Sequence, residues 1–93
     1  MMLRPDNEDL GRAIRKLRKQ QRMTLEDLAF ASDVHTTYLS GIERGIRNPT
    51  WEKLANIAYA LGTPLSNLVR HAETEAQLAQ RVKNAQRELG LST

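Results

Sequence analysis

Between Thr24 and Gly45 the chain sets two short amphipathic segments so close together that only a tight turn can join them. The first opens with a capping box. The Thr24 hydroxyl can accept from the amide of Asp27, whose carboxylate reaches back, just ahead of apolar Leu25, Leu28 and Ala29. A helix therefore starts near residue 24. The periodicity breaks over Asp33-Val34-His35, and Val34, Tyr38, Leu39 and Ile42 then restore an apolar stripe at helical spacing as far as Gly45. This predicts a second helix over about 35–44. Its other face carries Thr36, Thr37, Ser40 and Gly41, small or polar groups that are odd on a packing surface and useful in a narrow groove.

Such a pair reads as a helix-turn-helix. Its surroundings limit the alternatives. With 93 residues the chain is too short for two ordinary domains, so one core with an appended segment is expected. Cysteine is absent, which removes disulfide and cysteine–zinc scaffolds and fits a reducing compartment. No apolar run approaches the ~18 residues of a membrane span. The N-terminal MMLRPDNEDL lacks the hydrophobic centre of a signal peptide, so a soluble, cytoplasmic protein with no membrane association is expected. The net charge is +3. Its placement is more informative: Arg12, Arg15, Lys16, Arg18, Lys19 and Arg22 follow one another with no intervening acid. A solvated basic face is the plain reading of that run; beside a helix-turn-helix, neutralisation of DNA phosphates becomes the stronger one.

The remaining pattern is helical. A first helix is expected over about 9–22, with Leu10, Ile14 and Leu17 on one face, Ala13 beside them, and an acidic start and basic end that suit the helix dipole. After Asn48-Pro49, Thr50 caps a fourth helix whose inward stripe is Leu54, Ile57, Ala58 and Leu61, ended by Gly62. Trp51 is expected to pack at its start, whereas the role of Phe30, off the inward stripe, stays open. A fifth helix begins near Pro64 and carries Leu65, Leu68 and Val69. No segment alternates with period two, so the fold class is all-α. Residues 71–89 show a coiled-coil-like seam, Leu78, Val82, Ala85 and Leu89. That seam is either an extension of helix five, packed on the protomer or on its twin, or a disordered tail; Gly90 to Thr93 are expected to be loose. The organisation is thus an N-terminal arm (1–8), a helix-turn-helix domain (9–70) and a C-terminal helical extension or tail (71–93).

Leu28-Ala29, Tyr38-Leu39-Ser40, Ile42-Glu43-Arg44-Gly45, Arg47-Asn48-Pro49 and Ala60-Leu61-Gly62 together resemble the lambda-repressor-like, or XRE, family of helix-turn-helix proteins. The resemblance covers about two thirds of the chain and is strongest to compact controller-type regulators. It implies a five-helix domain that dimerises on DNA. It also implies that the start of the recognition helix enters the major groove, which sets His35, Thr36, Thr37 and Ser40 against base edges. Ordinary helix-start residues are the plain alternative for the two threonines. Tyr38, Arg44, Arg47 and Asn48 are then expected to meet the DNA backbone or minor groove, with Arg12 and Arg15 of helix one reaching the backbone too. Tyr38 also has a packing reading, its ring against the core. Arg18 and Glu43 are expected to form a half-buried structural pair.

Two positions depart from the family pattern. Leu25 stands where a phosphate-clamping Gln is common, so that contact is in doubt. His35 stands where a Ser or Thr cap is usual, which leaves two accounts: an imperfect cap, or a DNA contact strengthened by protonation.

The expected function is sequence-specific binding of double-stranded DNA as a dimeric transcriptional repressor, reading a palindrome. Leu65, Leu68, Val69, Leu78 and Val82 are candidates for the homodimer interface. The rival is an antitoxin-like or adaptor role in which a partner protein docks on the C-terminal seam. An enzyme is not expected, because no nucleophile has a paired base and no glycine loop could hold phosphate. Neither a cofactor nor a metal is expected, since His71, the other histidine, lies far from His35 in the chain with no ligand cluster near it.

Overall fold

The computed structural model describes residues 3–90, and within them the chain forms five helices joined by short turns. These are α1 (Asn7–Gln20), α2 (Leu25–Ala31), α3 (Thr36–Glu43), α4 (Trp51–Ala60) and α5 (Leu65–Glu88). Each start has a local cause. Asp6 caps α1 through a reciprocal box with Asp9, two 2.9 Å bonds, so the helix begins two residues before the position expected from apolar spacing. The N-terminal arm is shortened accordingly, and its first two residues lie outside those described. Thr24 and Asp27 form the second box, as the sequence predicts.

The bond to the Asp9 amide holds the Asp6 carboxyl below its ordinary value of 3.8, and the Thr24 amide does the same for Asp27. Both caps are therefore fully present above the unfolded carboxyl range and are lost as pH falls through the depressed values. At the other end of α1, Arg22 adopts a left-handed φ of 58°. That residue turns the chain and ends the helix at Gln20, short of the expected 22.

The core is made by one side of every helix: Ile14, Leu28, Leu39, Ile42, Ile57 and Leu68 are all 0% exposed. Helix α1 packs on α3 and α5, α2 on α3 and α4, and α4 on α5. Where α1 crosses α3, Gly11 lets the backbones meet. A Cβ there would lie 2.5 Å from the Ile42 carbonyl oxygen, inside contact distance.

Helix α5 runs 24 residues without a break, so no boundary marks residue 70. At ~1.5 Å per residue it spans roughly 36 Å. Its first half buries Leu68, Ala72, Glu75 and Ala76 against the domain. From Arg81 onward every described residue is exposed. The seam is helical through Glu88; of the segment expected to be loose, residues 91–93 lie outside those described.

Two expectations need correction. Leu68 is completely buried in the protomer's own core and offers nothing to a second copy. Trp51 is 75% exposed rather than packed, because the first turn of α4 extends past the end of the core and the inward stripe begins only at Leu54.

Candidate nucleic-acid interface

The presentation of α3 begins with the turn before it. Ser32 is buried and donates its hydroxyl to the Leu28 carbonyl at 2.6 Å, while Asp33 takes a left-handed φ of 55°, a conformation that Asp tolerates better than most residues. The Val34 amide then bonds back to the Ala29 carbonyl at 3.0 Å, and its side chain closes the core. His35 follows as the cap of α3. Its Nδ1 accepts from the Thr37 amide at 3.3 Å. Because Nδ1 is the acceptor, a neutral ring carries its proton on Nε2, which is left to donate elsewhere. The geometry therefore supplies the cap and is compatible with an outward contact.

Beyond the cap the two sides of α3 have opposite fates. Leu39 and Ile42 are buried, whereas Thr37 is exposed and Thr36 and Ser40 are half-buried. The threonines are thus reachable from outside. Tyr38 stands at the edge, half-buried against the core, with its hydroxyl donating to the Asn48 carbonyl at 3.4 Å. Lys53 of α4 lies 5.7 Å from the Tyr38 ring centroid, close enough for a cation–π contact. Sequence reasoning missed Lys53, since nothing in the spacing of residues 38 and 53 signals that they meet.

After α3, Arg44 forms the C-cap, Gly45 takes φ 79°, and Arg47 and Asn48 are exposed in the turn that leads to α4. A Cβ on Gly45 would press on Glu8 at 2.5 Å, so this position needs glycine for space as well as conformation. The aliphatic stem of Arg47 folds back across Gly41.

Behind the exposed face a clamp fixes the helix. Arg18 of α1 donates from Nε and Nη2 to the two carboxylate oxygens of Glu43 at 2.8 and 2.9 Å, and from Nη1 to the Met23 carbonyl at 2.9 Å. Both side chains are nearly buried, 11% and 6% exposed. The paired carboxylate raises the Arg18 pKa above its ordinary value despite burial.

The helix-one cations do not act alike. Arg12 bonds Asp9 and also meets Glu8 at 3.8 Å and Glu75 at 3.4 Å, so it faces α5 and its charge is neutralised there. This corrects its assignment to the DNA backbone. Lys16 joins the same cluster, 2.6 Å from Glu75. The sequence contained these partners, but 59 residues separate Lys16 from Glu75, so only the fold reveals the pairing. Arg15, on the α3 side of the helix, is exposed and makes no ion pair among the described residues. Leu25, where a phosphate-binding Gln was absent, is packed against the core. Among the described residues no cluster of three His, Cys, Asp or Glu side chains could hold a metal.

Two short helices crossing at a fixed turn, the second with its polar edge outward and its rear locked to α1, define a helix-turn-helix domain. The chain belongs to the helix-turn-helix family HTH_3, which it matches over residues 14–68. Among curated relatives, the control protein C.BamHI of Bacillus amyloliquefaciens is 40% identical over 60 residues, covering 63% of this chain and 74% of that protein. Among solved structures, the clp gene regulator ClgR from Corynebacterium glutamicum superposes with a TM-score of 0.85 at 35% identity, over 89% of this chain and 88% of its own. The restriction-modification controller C.Esp1396I, a tetramer in complex with its natural 35 base-pair operator, superposes with a TM-score of 0.71 at 34% identity over 76% of this chain and 93% of its own.

Proposed function

We propose that this protein is a transcriptional regulator that binds duplex DNA sequence-specifically as a homodimer and represses the promoter it occupies. The observation that carries this reading is the asymmetry of α3, whose apolar side is locked into the core and held by Arg18 and Glu43 while Thr36, Thr37 and Ser40 remain reachable. Relatives support it: ClgR is named as a gene regulator, and C.Esp1396I is a controller solved on operator DNA. No relative named above is an enzyme. No described helix is long and apolar enough to cross a membrane; action on DNA in the cytoplasm is part of this proposal.

In this reading His35, Thr36, Thr37 and Ser40 face base edges, where threonine can hydrogen-bond to several bases and touch a thymine methyl. Arg15, Arg44, Asn48 and Lys53 neutralise or contact the phosphate rails beside them. One short helix reads too few base pairs for useful specificity, so two copies set ~34 Å apart read a palindrome. Val69, Leu78 and Val82, 39%, 41% and 56% exposed, form the two-fold surface, with half-buried Leu65 at its edge.

The DNA immediately upstream of the coding region provides the test. Labelled duplex from that region should shift at lower protein concentration than random duplex, and should release steeply as salt rises. Dilution below the dimer dissociation constant should weaken the shift cooperatively. Equal affinity for random duplex at low and at raised salt contradicts the reading.

A second reading keeps a specific observation in its favour. Leu78, Val82 and Leu89 leave an apolar stripe exposed on α5, and a partner protein docking there gives an antitoxin-like or adaptor role. A partner that binds only when that stripe is apolar, and that weakens the DNA shift by competing with the second copy for Leu78 and Val82, supports this reading.

A further inference from the structure

We infer that Arg47 reads a base edge in the major groove, and that Gly41 is the residue that positions it there. The inference rests on the DNA-binding reading above and assigns Arg47 a role different from a backbone contact.

The backbone makes the first part of the case. The Gly41 carbonyl accepts from both the Ile46 amide, at 3.0 Å, and the Arg47 amide, at 3.2 Å. These bonds fold the turn back onto the last turn of α3, so the origin of the Arg47 side chain is set by main-chain geometry before any rotamer is chosen. A Cβ built on Gly41 would stand 3.4 Å from Arg47 Cβ and 3.5 Å from Cδ, and would overlap Cγ. The arginine stem therefore lies in the space that a side chain at position 41 would fill.

That space belongs to the reading face. Residues 37 and 41 are four apart on one helix, so they occupy successive places in the same surface row. Gly41 is nevertheless buried, since the arginine covers it. In effect the row continues from Thr37 with a long cationic side chain supplied by the following turn. An arginine serving only the phosphate rails has no need to lie flat on the groove-facing side of the helix.

The donors are also available. Arg12, Lys16 and Arg18 are each bound by carboxylates, whereas Arg47 is exposed and has no ion pair among the described residues. A guanidinium presents two parallel N–H groups, the arrangement that matches O6 and N7 of guanine in the major groove. The base pair Arg47 selects is accordingly G·C, next to the one Thr37 touches.

The test is selection from a pool of double-stranded DNA carrying ~20 randomised base pairs, enough for two half-sites one helical turn apart. Wild-type protein should return a palindromic motif with a G·C pair in each half-site. Arg47→Ala should lose preference at that pair by roughly ten- to a hundredfold while the flanking pairs stay selected. Arg47→Lys keeps the charge without the fork, so it should lose the same preference. Gly41→Ala should reproduce the Arg47→Ala motif, because the new methyl displaces the stem, and Gly41→Ala added to Arg47→Ala should change the motif no further. Thermal melting of Arg47→Ala and of the double variant checks that both remain folded.

An Arg47→Ala or Arg47→Lys protein that returns the wild-type motif with uniformly lower recovery overturns the inference and leaves the DNA reading standing. Gly41→Ala with an unchanged motif overturns the positioning role. A wild-type protein that returns no motif at all overturns the DNA reading, and this inference with it.

Discussion

Glu43→Ala should melt far below the wild type and lose DNA binding as a consequence. The carboxylate it removes accepts two hydrogen bonds from Arg18 at 2.8 and 2.9 Å, and the side chains are 11% and 6% exposed. The truncation therefore strands a guanidinium in a nearly dry site, with the Met23 carbonyl as its remaining partner. Breaking such a pair from one side costs ~3–5 kcal/mol, because the surviving charge has lost its compensation. For a domain of this size each kcal/mol moves the melting temperature by ~4–8 °C, so a drop of at least ~12 °C is expected.

Removing both charges has a different consequence. Arg18→Met with Glu43→Leu leaves no stranded ion and should melt closer to wild type than Glu43→Ala does. Circular dichroism melts of the three proteins distinguish these cases; an unchanged melting temperature for Glu43→Ala contradicts the clamp. The clamp also links packing to function, since Glu43 is the last residue of α3 and its tether sets how that helix is held against α1.

Gly11→Ala should destabilise the same crossing by another route. Its new methyl would overlap the Glu43 carbonyl oxygen and lie 2.5 Å from that of Ile42, both backbone atoms of α3. A flexible side chain could swing away, but a helix backbone cannot, so α1 and α3 must separate. Overpacking of this kind costs ~1–3 kcal/mol, and the upper end is expected where the obstruction is main chain. Gly62→Ala is the informative comparison. No neighbour lies within 4 Å of a Cβ there, although φ is +67°, so its smaller loss reflects backbone conformation alone. Denaturant midpoints measured side by side should rank wild type above Gly62→Ala above Gly11→Ala. The reverse order for the two variants contradicts the close crossing.

The parts of the fold that were legible in the sequence are those governed by near neighbours. The Thr24–Asp27 box, the stripe Leu54, Ile57, Ala58 and Leu61, and the glycine ending α3 each depend on residues within a turn or two. The exit from α1 was misplaced because Arg22 is left-handed without being glycine, so the usual signal was missing. Trp51 misled for a related reason: its register suits the inward stripe, yet the part of α4 that meets the core begins one turn after it, at Leu54.

Charge was the least legible property. The run from Arg12 to Arg22 looks like one basic surface, whereas the fold assigns Arg12 and Lys16 to Glu75 and Arg18 to Glu43, leaving Arg15 outward. Arg12 also pairs locally with Asp9 and Glu8, but Glu43 and Glu75 lie 25 to 63 residues from the cations they bind, beyond the reach of any local pattern. At the candidate site, helical register foretold that Thr37 would be outward, but the overlay of Arg47 on Gly41 required a turn that periodicity does not describe. Leu68 shows the same limit: an apolar stripe identifies a buried side without saying whether protomer or partner covers it.

Thr37 offers the most direct test of the account, because the chain contains no native cysteine. A Thr37→Cys protein carrying a short photoactivatable aryl azide should cross-link on illumination to bases of a duplex selected by the wild type, whereas Lys83→Cys, exposed on the far half of α5, should not. Cross-links from residue 83 with none from residue 37 would show that α3 is not the element presented to the groove.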